Sequence, residues 1–419
     1  MRGSSLLPSV VFMLHLDPAL YFDHSATTPP RPEVIEAMQV AMRESWGNPS
    51  SLHGWGERAT MAMERARQQV ADLLNCEPES LLFTSGGTES NNLALFGVAQ
   101  GHRTPQHLIV SSIEHSSVEN AARQLQAQGW QVTRLPVNHF GVVDPEQLKS
   151  ALQSNTVLVS ILHGQNEVGS LQPIAELGRL CREAGVLFHS DCVQTVGRIP
   201  LDLSELPIDM LSLSGHKLYG PQGVGALYLR PGVELRPLLR GGGQERRLRS
   251  GTQGIPGIVG LGVAAALAAE ELAAETERLR SLQRQLGQAL QGVPGLIPTG
   301  PQDQQQRLPH HLSYCIDRIP GNVLVTAMSR QGIGISAGSA CSSGQLIPSR
   351  ILLAMGYSEA EALGAIRLSL GKATTAAAVE YVARCLRGLL LSGSGSGSLG
   401  ELRTQPVLVG SFRASGPEA

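Results

Sequence analysis

Between Tyr21 and Leu229 the chain alternates helix-period segments with short apolar, branched runs, and this alternation limits the fold more than any other feature. Helices are expected over 32–45, 58–74, 88–99, 116–128 and 173–184. Strands are expected over 81–84, 108–110, 132–135, 157–162, 186–189, 210–213 and 225–229. Such a pattern predicts an α/β domain with a mostly parallel sheet and helices on both faces. Ligands on sheets of this kind bind beyond the carboxyl ends of the strands, so the loops leaving them are where chemistry is sought. The Ala/Leu/Glu/Arg segment over 259–290 predicts one extended helix bridging to a second unit. A Pro/Gln-rich stretch, short elements and a helical run near 373–390 follow, and read as a smaller C-terminal α+β domain. The expected division is an N-terminal extension (1–20), a large domain (21–262), a small domain (263–391) and a flexible Ser/Gly-rich tail (392–419).

A length of 419 residues with 42% hydrophobic content can build more than one core. A net charge of −2 argues against nucleic-acid or membrane-surface binding, which draws on excess Lys and Arg. The six cysteines form no CxxC pair, so neither a disulfide framework nor a metal site is expected, and a reducing, cytoplasmic setting fits. Residues 6–16 are fairly apolar but are interrupted by Pro8 and His15 and are too short to span a bilayer. Met13 is the expected natural start.

Several strand-end segments carry candidate chemistry. Ser-Leu-Ser-Gly-His-Lys at 212–217 follows a strand and leads into a Gly-rich turn. A lone lysine on such a loop is ordinarily a surface residue; beside Ser214 and His216, Lys217 suits a Schiff-base amine next to a phosphate. The Thr-Ser-Gly-Gly-Thr turn at 84–88 opens a helix, and its backbone N–H groups can cradle a phosphate, although such turns are also common αβ connections. Asp191, with Gln194 one turn on, can pair with a protonated pyridine nitrogen or simply cap the next helix. His115 can stack on a ring and move protons, or be structural. Their shared position at strand ends of one sheet is the stronger signal.

In the C-terminal part, Cys341 lies among Gly, Ser and Ala with no bulky apolar residue within four positions, unlike a core cysteine. An accessible thiol in a polar loop suits reaction as a thiolate. Arg367 interrupts an apolar run and needs a carboxylate, from either a bound amino acid or an internal acid.

Taken in order, these segments resemble the class V aminotransferase branch of fold-type I pyridoxal-phosphate enzymes, and within it the cysteine desulfurases of iron–sulfur-cluster assembly. The likeness runs through Tyr-Phe-Asp-His-Ser-Ala-Thr-Thr-Pro at 21–29, Gly-Asn-Pro-Ser at 47–50, the 84–91 turn, Glu114-His115, His-Gly-Gln-Asn-Glu-Val-Gly at 163–169, the lysine loop, Arg-Ser-Gly-Thr at 249–252, the Cys341 loop and Arg367. It implies a pyridoxal 5'-phosphate cofactor on Lys217, with Asp191 at the ring nitrogen, Gln194 at the ring hydroxyl and His115 stacked over the ring. It implies phosphate contacts from Gly87, Thr88, Ser214 and His216, and from Thr252 of a second subunit, hence a homodimer. Asn166 and Arg367 would hold the carboxylate of L-cysteine. Cys341 would take up the sulfur as a persulfide, release alanine, serve an iron–sulfur scaffold or similar acceptor, and be available as a transient cluster ligand. The sequence departs from the family at Gly87, often Ala, at Gly164-Gln165, usually Val-Asn, and at Cys192-Val193, usually Ala-Thr or Ala-Ala. A selenocysteine or cystine lyase of the same fold is the nearest alternative, and a non-catalytic scaffold the more distant one.

Overall fold

The computed structural model describes residues 16–316, 319–338 and 347–393. Its larger sheet has seven strands: β1 (Leu81–Thr84), β2 (His107–Ser111), β3 (Gln131–Leu135), β4 (Thr156–Ser160), β5 (Leu187–Asp191), β6 (Met210–Ser214) and β7 (Gly225–Leu229). Their spatial order is β1-β7-β6-β5-β4-β2-β3. Strands β2 to β6 run parallel, and β7 runs antiparallel to both β1 and β6. The sheet is therefore mostly parallel, as the alternating pattern predicted.

Side-chain alternation buries both faces. On one face Leu81, Phe83, Ile109, Val159, Phe188 and Leu211 pack under α1 (Pro32–Glu44), α2 (Gly54–Leu74) and other helices. On the other, Leu82, Leu108, Val110, Leu158 and Met210 pack under α3 (Gly87–Ala99) and α4 (Ser116–Ala127). Helices α5 (Pro145–Ala151) and α6 (Ile174–Glu183) complete the crossovers. Seven-residue α5 has too little periodicity to stand out in the sequence; Asp144 caps it by accepting from the Glu146 N–H, and Pro145 starts it.

Helix α7 (Ile255–Leu290) is a single rod of 36 residues, about 54 Å long. Its first half, through Ile258, Leu261, Ala264 and Ala265, joins the core of the large sheet. Its last turns, through Leu279, Leu282, Leu286 and Leu290, join a separate core. The expected boundary at 262/263 thus falls inside one continuous helix. By length and composition α7 could cross a bilayer, and about a third of that apolar window, including Ile258, Leu261, Ala264 and Ala265, is buried against protein here.

The second core lies on a four-stranded antiparallel sheet, β8 (Leu296–Pro298), β9 (His311–Ile316), β10 (Ser336–Ala337) and β11 (Ile366–Ser369), in the order β10-β11-β9-β8. Helices α8 (Gly321–Ser329), α9 (Arg350–Ala354), α10 (Glu359–Leu363) and α11 (Ala376–Gly393) belong to this part. The N-terminal stretch closes the gap between the two sheets. Phe22 accepts from the Ser369 N–H at 2.8 Å, and the Thr28 N–H donates to the His216 carbonyl at 2.9 Å.

The α2–α7 contact requires glycine at 262. A Cβ there would lie 2.6 Å from Ala66 Cα and 2.7 Å from Ala66 Cβ. Gly262→Val should therefore force the helices apart and destabilise the fold by about 1–3 kcal/mol. A lowered urea midpoint without a change in slope is the expected measurement.

Candidate active site

The carboxyl ends of β1, β2, β4, β5 and β6 converge on a cleft of about 240 Å³. Gly87 and Thr88 enter it from the first turn of α3. Gly86 holds φ +143°, a backbone region that favours glycine, and this turns β1 sharply into the helix. A Cβ at Gly87 would meet Val193 Cγ2 at 2.6 Å, so two of the departures from the family pattern fit one another sterically. The N–H groups of a helical first turn have no partner within the helix and suit an anionic group.

Asp191 ends β5 and is buried. Its Oδ1 accepts from the Val193 N–H at 3.0 Å and its Oδ2 from Asn91 Nδ2 at 2.7 Å. It thus supports the following turn and lines the cleft at once. Gln194, also in the cleft, donates from Nε2 to the Ser25 carbonyl at 2.9 Å. His115 caps α4, its Nδ1 accepting from the Ser117 N–H, while its ring lines the cleft. Burial holds its pKa below the ordinary imidazole value.

Lys217 follows β6 in a short helical turn and is not a surface lysine. Its Nζ donates to the carbonyls of Ser25 and Ala26, each at 2.6 Å, and among the described residues is paired with no carboxylate. Burial lowers its pKa to about 8, and the guanidiniums of Arg367 and Arg198 push in the same direction. The amine is therefore deprotonated far more readily than an ordinary lysine, and is mostly neutral only above about pH 8. His216 Nδ1 lies 3.1 Å from Thr27 Oγ1, and burial lowers its pKa to about 4. Ser214 and Asn166 line the same cleft.

Two expected residues stand apart from it. Arg367 is buried beside the cleft rather than among its lining residues, and its partner is internal: Nη2 meets Asp23 Oδ1 at 2.7 Å and Nη1 donates to the Asn166 carbonyl at 2.9 Å. Thr252 is exposed and lies outside the cleft of its own chain. Cys341 lies outside the described residues, as do Met13 and the 1–12 extension. Described residues that flank Cys341 in the chain are tied down. The Gly338 N–H donates to the Ala365 carbonyl at 3.0 Å, and Ser349 Oγ donates to Glu167 Oε2 at 2.6 Å. Glu167 is the neighbour of Asn166, and burial raises its pKa to about 7. The other five cysteines are unpaired thiols, with Cys181, Cys192 and Cys315 buried.

The family pattern Aminotransferase class-V matches residues 20–382. A Methanosarcina thermophila protein named Cysteine desulfurase IscS is 44% identical over 365 residues, spanning 87% of this chain and 90% of its own. A human protein named Cysteine desulfurase is 43% identical over 88% of this chain and 81% of its own. Among solved structures, a NifS-like protein superposes with TM-score 0.84 at 39% identity, over 89% of this chain and all of its own. One titled SspA in complex with cysteine superposes with TM-score 0.74 at 37% identity, over 85% of this chain and 99% of its own. The chain belongs to the class V aminotransferase family, in its cysteine desulfurase branch.

In this family member the segment around Ser25 does more than the sequence suggested. It supplies the carbonyls that hold Lys217 and Gln194, and Asp23 for Arg367. Its motif was visible, but backbone carbonyls leave no residue-type signal. Arg198 was not foreseen at all: it is buried, donates to the Lys217 carbonyl at 2.9 Å and sits over the Tyr219 ring. Asn91 and Ser117 were likewise unassigned, although both line the cleft.

The charges around Lys217 generate a test with opposite signs. Amine-selective labelling read by peptide mass mapping over a pH series should show a midpoint near about 8. Arg367→Met should move that midpoint upward, because a cation opposing the ammonium is lost. Asp23→Asn should move it downward, because its carboxylate favours the ammonium.

Proposed function

We propose that this chain binds pyridoxal 5'-phosphate in the cleft described above and removes sulfur from L-cysteine, leaving alanine and a persulfide on Cys341. The observation that carries the reading is the meeting, at the strand ends of one sheet, of a depressed lysine, a buried aspartate and a glycine-lined helix N-terminus. These donors and acceptors fit an aldehyde-bearing pyridine phosphate. Gly87, Thr88, Ser214 and His216 would hold the phosphate, Asp191 the ring nitrogen, Gln194 the ring hydroxyl and Lys217 the aldehyde carbon. When bound, the cofactor supplies an electron sink for the pair released at the substrate Cα.

The side chains do the rest. Asp191, held by the Val193 N–H and Asn91, is oriented to keep the ring nitrogen protonated. Lys217, neutral above about pH 8, is the amine for carrying the proton at Cα. Asn166 and Arg367 would receive the substrate carboxylate, Arg367 through the Nε that has no partner among the described residues. The Cys341 thiolate attacks the substrate sulfur, so that an S–S bond forms as the Cβ–S bond breaks. The electron pair left behind is protonated to give the methyl group of alanine.

A homodimer is supported by the apolar surface on and around α1 and the start of α2, where Met42, Trp46, Leu52, Trp55 and Met61 are all exposed. In such a dimer the exposed Thr252 would serve the cleft of the other subunit. The unpaired thiols support a reducing, cytoplasmic setting, and an iron–sulfur scaffold is the acceptor we favour.

Cys341→Ser should retain the cofactor's absorbance yet yield no alanine from cysteine. Lys217→Ala should lose covalent trapping by borohydride and at least about a hundredfold in rate. Cystine and selenocysteine assayed alongside would expose a lyase instead. Substantial desulfuration by Cys341→Ser would overturn the proposal.

A further inference from the structure

Asn91 and Ser117 join two residues that line the cleft, Asp191 and His115. Asn91, on α3, places Nδ2 at 2.7 Å from Asp191 Oδ2 and at 2.8 Å from Ser117 Oγ. Ser117 Oγ lies 2.7 Å from His115 Nδ1. Asn91 and Ser117 are both buried.

The direction of each bond follows from what the groups can donate. A carboxylate accepts, so the Asn91 atom facing Asp191 is its nitrogen, and the amide oxygen is left buried without a partner among the described residues. The same NH2 group gives its second hydrogen to Ser117 Oγ. The hydroxyl hydrogen is then free to point at His115 Nδ1. Independently, the backbone N–H of Ser117 is directed at Nδ1 from 3.2 Å. A backbone N–H cannot accept, so Nδ1 presents its lone pair and the imidazole proton resides on Nε2. Among the described residues no hydrogen bond occupies Nε2, and the ring lines the cleft.

We propose that Asn91 and Ser117 are positioning residues that couple Asp191 to His115 and hold His115 as the neutral, Nε2-protonated tautomer, so that it offers a proton to the cleft rather than removing one. The inference rests on reading this cleft as the desulfurase site. It divides the work: abstraction falls to Lys217, and His115 donates. Burial, which disfavours the imidazolium, acts in the same sense. Position 91 must both donate to a carboxylate and donate onward, which an amide nitrogen with two hydrogens does and a hydroxyl does not.

Two measurements test this. In protein labelled with 15N-histidine, the His115 signal, assigned by its loss in His115→Gln, should show the proton on Nε2 near neutral pH. A proton on Nδ1, or a cationic ring, overturns the proposal. In the cofactor-loaded enzyme, Ser117→Ala and Asn91→Ala should each lower kcat by about tenfold with KM little changed. The double variant should be no slower than the slower single, because both break one chain. Multiplying losses, or singles at full rate, would sink the coupling. Ser117→Thr, which keeps the hydroxyl, should recover most of the rate, and this Ala/Thr pair decides the matter if Asn91→Ala does not fold. If the unaltered protein makes no alanine from cysteine, the functional reading fails by itself, while the tautomer measurement remains interpretable.

Discussion

The site depends on a partly buried amine that, among the described residues, has no acid to pair with. Lys217 is held by two backbone carbonyls, those of Ser25 and Ala26, and faces the guanidiniums of Arg198 and Arg367. Desolvation and like charge both disfavour the ammonium, and carbonyl oxygens offset this less than a carboxylate would. The result is a nucleophile available close to physiological pH. Asp23 tempers the effect, since its carboxylate neutralises Arg367.

This arrangement needs both sheets. The carbonyls come from the segment that runs between them, pairing with β11 through Phe22 and with the lysine loop through Thr28. Arg198 comes from the turn after β5, and Arg367 from β11. Helix α7 holds the two cores in fixed relation because its opposite ends are buried in different ones. A small displacement of one sheet relative to the other would therefore be felt at Lys217 as a change of charge environment as well as of position.

Much of the large sheet was legible because its strands are short apolar runs bounded by turn residues. β1 and β7 fall on the expected residues, 81–84 and 225–229. Two helices extend well beyond their expected starts, while α6 and α11 begin later than expected. α7 begins at Ile255 instead of 259 because Pro256 is tolerated in a first turn. α2 begins at Gly54 despite two glycines, with His53 capping it by accepting from the Gly56 N–H. The small sheet was less legible, since β8 and β10 have three and two residues and carry almost no period.

The sequence alone determined which elements form and which loops leave the carboxyl ends of a parallel sheet, because periodicity reports local burial directly. It also supplied the lysine, the aspartate, the histidine and the glycine turn that line one cleft. Tertiary structure alone decided what those groups touch. Arg367 meets Asp23 across 344 positions, Lys217 meets Ser25 across 192, and Asn91 meets Asp191 across 100. Residue type gives no indication of which distant donor finds which acceptor. That depends on how strands are ordered and how two sheets are pressed together, and with it the charge of the amine and the tautomer of the imidazole.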